Sequence, residues 1–181
     1  MNWFRNLKVG SKLVFGFSTM ILIMGVIGFT GYLSMSKINY SLENIFEIRM
    51  PSIDYLIEAD RDLQQLLVAE RSMIFANAKS DVFKKLVADY EENLGQSDQR
   101  WGKYKALAST PEEKEIISKY DKAREEWKAI SKRVVDGRVA DTRQGRREAL
   151  DLTLGIAKVK FEEMRNYIDE LTNINLGMAE K

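Results

Sequence analysis

Residues 150–178, LDLTLGIAKVKFEEMRNYIDELTNINLGM, decide the fold. Leu150, Leu154, Ala157, Phe161, Met164, Ile168, Leu171, Asn175 and Met178 follow one another at alternating steps of four and three residues. An α-helix turns once in about 3.6 residues, so this spacing lays all of them on one face. Persistence of the pattern over about four heptads predicts a long helix packed in a bundle.

Three earlier stretches carry the same period. Ile116, Tyr120, Ala123, Trp127, Ile130 and Val134 form one of them. It opens on Ser109-Thr110-Pro111-Glu112-Glu113, where Thr110 can accept from the amide of Glu113, the Glu113 carboxylate can reach back, and proline suits the first helical turn. Gly137 is placed as its left-handed terminator. Phe83, Leu86, Tyr90, Leu94, Ser97, Trp101 and Tyr104 form another, ending near Leu107. Ile53, Leu56, Asp60, Leu63, Leu67, Glu70 and Ile74 form the first, after Pro51, with a turn at Asn77 to Ser80. No run of alternating β-branched residues competes with these patterns. The expected class is all-α. Connections of only a few residues force antiparallel neighbours, giving an up-down-up-down four-helix bundle.

Ahead of the bundle, Leu13 to Ser36 is a run of 24 residues without a charge. As a helix it spans roughly 36 Å, against a hydrocarbon core of about 30 Å. The expected organisation is therefore 1–12 as a cytoplasmic N-terminus, 13–36 as a transmembrane helix and 37–181 as an extracytoplasmic bundle, with the first bundle helix continuous with the membrane helix. Arg5, Lys8 and Lys12 before the span outnumber Lys37 and Arg49 after it, which sets that orientation. Trp3 and Phe4 at one end and Tyr32 at the other suit the interfacial belts. The fourth helix reaches Lys181 with its heptad still running, so a second membrane helix is expected beyond it.

Composition narrows the function. The 181 residues carry 28 Lys and Arg against 27 Asp and Glu, a net charge of +1, which offers no basic excess for nucleic acid. There is no cysteine and no histidine. That removes thiolate metal sites, the thiol nucleophile, the commonest general base and the side chain that ordinarily titrates near neutral pH. A di-iron bundle needs Glu-x-x-His pairs, so no metal and no cofactor is expected. Phosphate-binding loops and nucleophile elbows are also missing, and the chain reads as a non-enzyme.

A short basic N-terminus, one membrane helix and a four-helix bundle resemble the sensor half of bacterial methyl-accepting chemotaxis receptors. Val9-Gly10-Ser11-Lys12-Leu13 through Gly16-Phe17 is similar to the start of that family's first membrane helix. Arg49-Met50-Pro51 followed by Ile53 is similar to its early proline element, and Ala69-Glu70-Arg71-Ser72-Met73 resembles the arginine-bearing part of its first sensor helix. The resemblance implies a homodimer in the bacterial inner membrane with a periplasmic sensor domain. It implies a small-molecule ligand, or a ligand-loaded solute-binding protein, as partner and a signal passed by helix displacement. Sensor histidine kinases and diguanylate cyclases carry the same input module. The competing reading is a single-pass structural or interaction bundle.

In the receptors that bind amino acids, arginines of the first sensor helix grip a carboxylate at the dimer interface. Arg71 matches such a position, Arg61 lies nearby off that register, and Leu67 stands where another arginine would sit. A guanidinium suits the role because its planar fork offers two parallel donors. Asp60 and Glu70 complete the candidate site. They occupy core-stripe positions, where a lone carboxylate is costly and must be paired, exposed or near a site. Adjacent helical residues point about 100° apart, so Arg61 and Arg71 are not automatically their partners. Arg138, Arg143, Arg146 and Arg147 read as a solvated cap on the last turn, and Trp101, Tyr104 and Trp127 read as core.

Overall fold

The computed structural model describes residues 8–180. Trp3, Phe4 and Arg5, most of the segment 1–12, and Lys181 lie outside the described residues. The chain separates into two compact units that meet at Ile45 and Phe46.

The described part of the first unit is one helix, α1 (Val9–Asn44). It is long and apolar enough to cross a membrane, with a mean hydropathy of 2.1 over its best window. Every side chain from Leu13 to Ser36 is exposed and none is covered by protein. Its threonine hydroxyls turn back onto carbonyls of the same helix, Thr19 onto Phe15 at 2.8 Å and Thr30 onto Val26 at 3.0 Å. Such back-bonding satisfies a hydroxyl where no water is available.

The second unit opens with a π-helical turn, Ile45–Arg49, followed by α2 (Met50–Phe75), α3 (Asp81–Leu107), α4 (Pro111–Ala140), α5 (Arg143–Leu154) and α6 (Ile156–Ala179). Among the described residues there is no strand. The widened turn lies where Pro51 has no amide to offer a carbonyl four residues back. Ser80 caps α3 by accepting from the Phe83 amide at 3.1 Å. Thr110 and Glu113 form the reciprocal capping box that the sequence predicts. The core cluster joins α2, α3, α4 and α6. Leu56, Leu63 and Leu66 of α2, Tyr104 of α3, Tyr120 and Trp127 of α4, and Phe161, Met164 and Leu171 of α6 are all sealed from solvent. Aromatic side chains fill the seam between α3 and α4, where Trp101 lies 4.1 Å from Tyr120 between ring centroids.

Two local expectations are corrected. Gly137 does not end α4. The helix runs on to Ala140, and Asp141 takes the left-handed conformation at φ 49°. Aspartate tolerates that region because its short side chain bonds locally; here Arg146 donates to both its carbonyl and its carboxylate at 2.9 Å. Gly137 serves a packing need instead. A Cβ there would fall 2.7 Å from the carbonyl oxygen of Gly145, and a Cβ on Gly145 would fall 2.7 Å from the oxygen of Gly137. The two backbones of the α4–α5 hairpin touch at this pair.

The fourth stretch is also not one helix. It breaks at Gly155, which takes φ −103° and ψ −111°. The break rotates α5 by one residue, so Ala149 and Thr153 face the core while Leu150 and Leu154 are exposed. Ala157, Phe161, Met164, Ile168, Leu171 and Asn175 hold the expected face of α6.

Candidate functional site

Helix α2 has two working faces. One is the core face. The other is an outer stripe of Met50, Ile53, Ile57, Arg61, Gln64, Val68, Arg71 and Phe75, again spaced by three and four residues. Met50, Ile57, Val68 and Phe75 are large apolar side chains in full exposure, Phe75 at 88% and Val68 at 64%. Sequence reasoning missed this stripe because arginine and glutamine interrupt it. The period was nonetheless present in the spacing.

The sequence-predicted residues do not converge on one point. Asp60 reaches α6, where Arg165 donates to it through Nε at 2.5 Å and Nη2 at 2.8 Å. This bidentate contact holds the Arg165 guanidinium above its ordinary value. Arg61 turns the other way and donates to Asp62 at 3.1 and 3.2 Å, with Glu58 at 3.5 Å. Arg100 of α3 completes that cluster, 2.7 Å from Asp62 and 3.2 Å from Glu58. The Arg100–Asp62 approach is a charge contact rather than a well-aligned hydrogen bond. Arg61 and Arg71 are thus not the partners of Asp60 and Glu70.

Glu70 is fully buried. It accepts from the hydroxyls of Ser131 on α4 and Thr153 on α5, the latter at 2.7 Å. Burial pushes its carboxyl above the ordinary value, against the pull of the two hydroxyls and the charge of Arg71. Arg71 is half-buried, and among the described residues its Nε is shielded without a hydrogen-bond partner. A groove of about 540 Å³ opens between α2 and α3, lined by Arg61, Gln64, Asp89, Glu92, Asn93 and Gln96 among others, and Arg71 is not part of its lining.

Two further polar clusters were not legible as sites. At one end of the bundle Glu113 accepts from the amides of Ser109 and Thr110 at 3.1 and 3.0 Å, the Thr110 hydroxyl at 2.9 Å, Asn175 Nδ2 at 3.1 Å and Tyr104 at 3.2 Å. Arg49 lies 3.5 Å from the same carboxylate and donates to Asn175 at 3.1 Å. Burial pushes the Glu113 carboxyl up, but the bonds from Thr110, Ser109 and Asn175 outweigh it and hold the group below its ordinary value. At the other end Arg138 is buried rather than solvated, correcting the reading of the arginine cluster there. Its Nε donates to the Met73 carbonyl and its Nη2 to that of Ala76, each at 2.8 Å. It therefore closes the carbonyl end of α2. Trp101, Tyr104 and Trp127 are core, as expected.

Among the described residues, no group of three or more acidic side chains is placed to hold a metal ion. No curated protein and no solved structure matches the chain. One family profile does, the four helix bundle sensory module for signal transduction, over residues 6–181. A sensory module of this kind points to a signalling rather than a catalytic domain. The chain belongs to this family, the four-helix-bundle sensory module of methyl-accepting chemotaxis proteins.

Proposed function

We propose that residues 46–181 form the extracytoplasmic sensor of a transmembrane chemoreceptor whose anchor is α1. In this reading the helices alternate up and down, the receptor sits in the bacterial inner membrane with its N-terminus in the cytoplasm, and the sensor works as a homodimer. The observation that carries the proposal is the outer stripe of α2. It combines exposed Met50, Ile57, Val68 and Phe75 with Arg71, whose Nε has no hydrogen-bond partner among the described residues. Apolar side chains at three-four spacing suit a second copy of the same helix. The Arg71 guanidinium suits the carboxylate of a small ligand, bound directly or presented by a solute-binding protein. Ligand binding there would bias α6 against α2, and a shift of about 1–2 Å along a packed helix is enough to switch a two-state element.

A thermal-shift screen of the full chain in detergent, using small mono- and dicarboxylates as probes, tests the ligand role. A compound that raises the unfolding temperature of the wild type but not of Arg71→Ala supports it, since only a ligand bound to the native state stabilises by mass action. A compound that stabilises both equally removes Arg71 from the site.

A further inference from the structure

Three carboxylates are buried among the described residues: Asp62, Glu70 and Glu113. Asp62 lies against Arg61 and Arg100, and Glu113 against Arg49. Glu70 alone touches only hydroxyls. Ser131 and Thr153 both give it their protons, so the Tyr90 hydroxyl, 2.8 Å from Ser131, must donate to that serine. One carboxylate on α2 thereby ties together α3, α4 and α5. Thr153 stands two residues before Gly155, the break at which α5 gives way to α6.

We propose that Glu70 is a proton-binding switch that adds a pH response to the sensor: protonation closes the junction of α2, α4 and α5, and loss of the proton loosens the last turn of α5 at the Gly155 break. The chain has no histidine, so a pH response must come from another titratable group. Burial in a dry site, with no cation in hydrogen-bond contact, raises the Glu70 carboxyl above its ordinary value, because burial penalises the charged form. The charged and titratable groups around it are few. Its own helix supplies Arg71 and α3 supplies Tyr90, on which Arg124 and Asp136 of α4 also act. The contacts from α4 and α5 are the neutral hydroxyls of Ser131 and Thr153, and α6 places no hydrogen-bonding group on it. Protonation is also a rewiring. A neutral carboxyl must donate one bond, so one of the two hydroxyls has to turn its own proton back onto its helix, as serine and threonine readily do.

The sign follows from linkage. Opening the joint to water returns Glu70 to its ordinary value of 4.5, below the buried one. The open form therefore holds its proton less tightly, and opening becomes more favourable as pH rises. The gain approaches about tenfold per pH unit between the two values and is flat above them.

Amide hydrogen exchange on the full chain in detergent, corrected for intrinsic rates, reads this directly. Residues 149–157 should show an opening constant that climbs with pH and then levels, and Glu70→Gln, which copies the protonated carboxyl, should flatten it. Residues 109–113 around Glu113 should show the opposite slope and serve as the internal control. A carbon-13 titration of the wild-type Glu70 carboxyl decides the matter even if the variant fails to fold. A midpoint above 4.5, matched by the rise in opening at 149–157, upholds the switch. A midpoint at or below 4.5, or a slope at 149–157 that survives in Glu70→Gln, overturns it. No step here uses a ligand on Arg71, so this test and the carboxylate screen fail independently.

Discussion

Gly137→Ala sets two known effects against each other. In a helix interior alanine is favoured over glycine by about 1 kcal/mol. Helix propensity alone therefore predicts a more stable protein. The structure predicts the reverse, because the new methyl would sit 2.7 Å from the carbonyl oxygen of Gly145, and that oxygen belongs to backbone rather than to a flexible side chain. Overpacking of this kind costs about 1–3 kcal/mol. The net expectation is a loss of about 1 kcal/mol. Gly102→Ala is the matched control: it lies within α3, and nothing approaches within 4 Å of its Cβ position, so the propensity gain should appear undiminished. The two variants should thus differ by about 2 kcal/mol, or roughly 6 °C in melting temperature for a chain of this size. Urea unfolding followed by tryptophan fluorescence is suitable, since Trp101 and Trp127 are both in the core. Gly137→Ala matching the stabilisation of Gly102→Ala would refute the backbone contact. It would also weaken what depends on it, the placement of Arg138 on the end of α2 and of Thr153 on Glu70.

Arg138→Met should lose about 3 kcal/mol in the same urea assay, because two carbonyls forfeit charge-assisted donors in a closed site; an unchanged midpoint would mean that water replaces the guanidinium without loss. For Glu113, held below its ordinary value of 4.5, the contribution to stability is present above that value and is lost as pH falls through the lowered one. Melting temperatures measured between neutral and acid pH should therefore converge for wild type and Glu113→Gln as pH falls, and a gap that stays constant would contradict the assignment. Val68→Asp should leave the unfolding midpoint of the isolated chain nearly unchanged while weakening self-association in sedimentation velocity. Equal association of variant and wild type would show that the outer stripe of α2 is not the contact between copies.

Helix positions were legible wherever side-chain period and capping chemistry agreed. Thr110 and Glu113 mark the start of α4 in the sequence because their bonds are local, three residues apart. The glycines were not legible in the same way. Gly137 reads as a helix terminator and Gly155 as part of an unbroken fourth helix, yet Gly137 sits inside a helix and Gly155 ends one. The difference lies with Gly145, which is distant along the α4–α5 hairpin and invisible to a window of neighbouring residues. The shift of core positions from Leu150 and Leu154 to Ala149 and Thr153 follows from that same hairpin. A backbone contact at Gly137 leaves no room for leucine near the crossing, so small side chains turn inward and the leucines turn out. The candidate site was half legible. Arg71 could be singled out by its position, and the cost of a buried Glu70 could be stated. Which hydroxyls would meet Glu70 could not, because Ser131 and Thr153 lie 61 and 83 residues away.

The positions of the polar residues within this core bear on how the domain can signal. Its centre, around Trp127, Phe161 and Met164, is apolar and closely packed, whereas Glu113 with Arg49 and Asn175 closes one end and Glu70 with Ser131 and Thr153 lies towards the other. Truncating an apolar core side chain costs several kcal/mol wherever it lies, but polar clusters are sensitive to geometry and to protons as well as to volume. A small displacement of α6 would leave the apolar centre in van der Waals contact while breaking hydrogen bonds that Asn175 makes only in one register. The same displacement would act on Thr153 through the Gly155 break. The two clusters therefore define the alignment of α6 and the end of α5 through hydrogen bonds as well as through the core. That is the energetic form a two-state sensor requires: differences of a few kcal/mol, within the reach of one ligand or one proton.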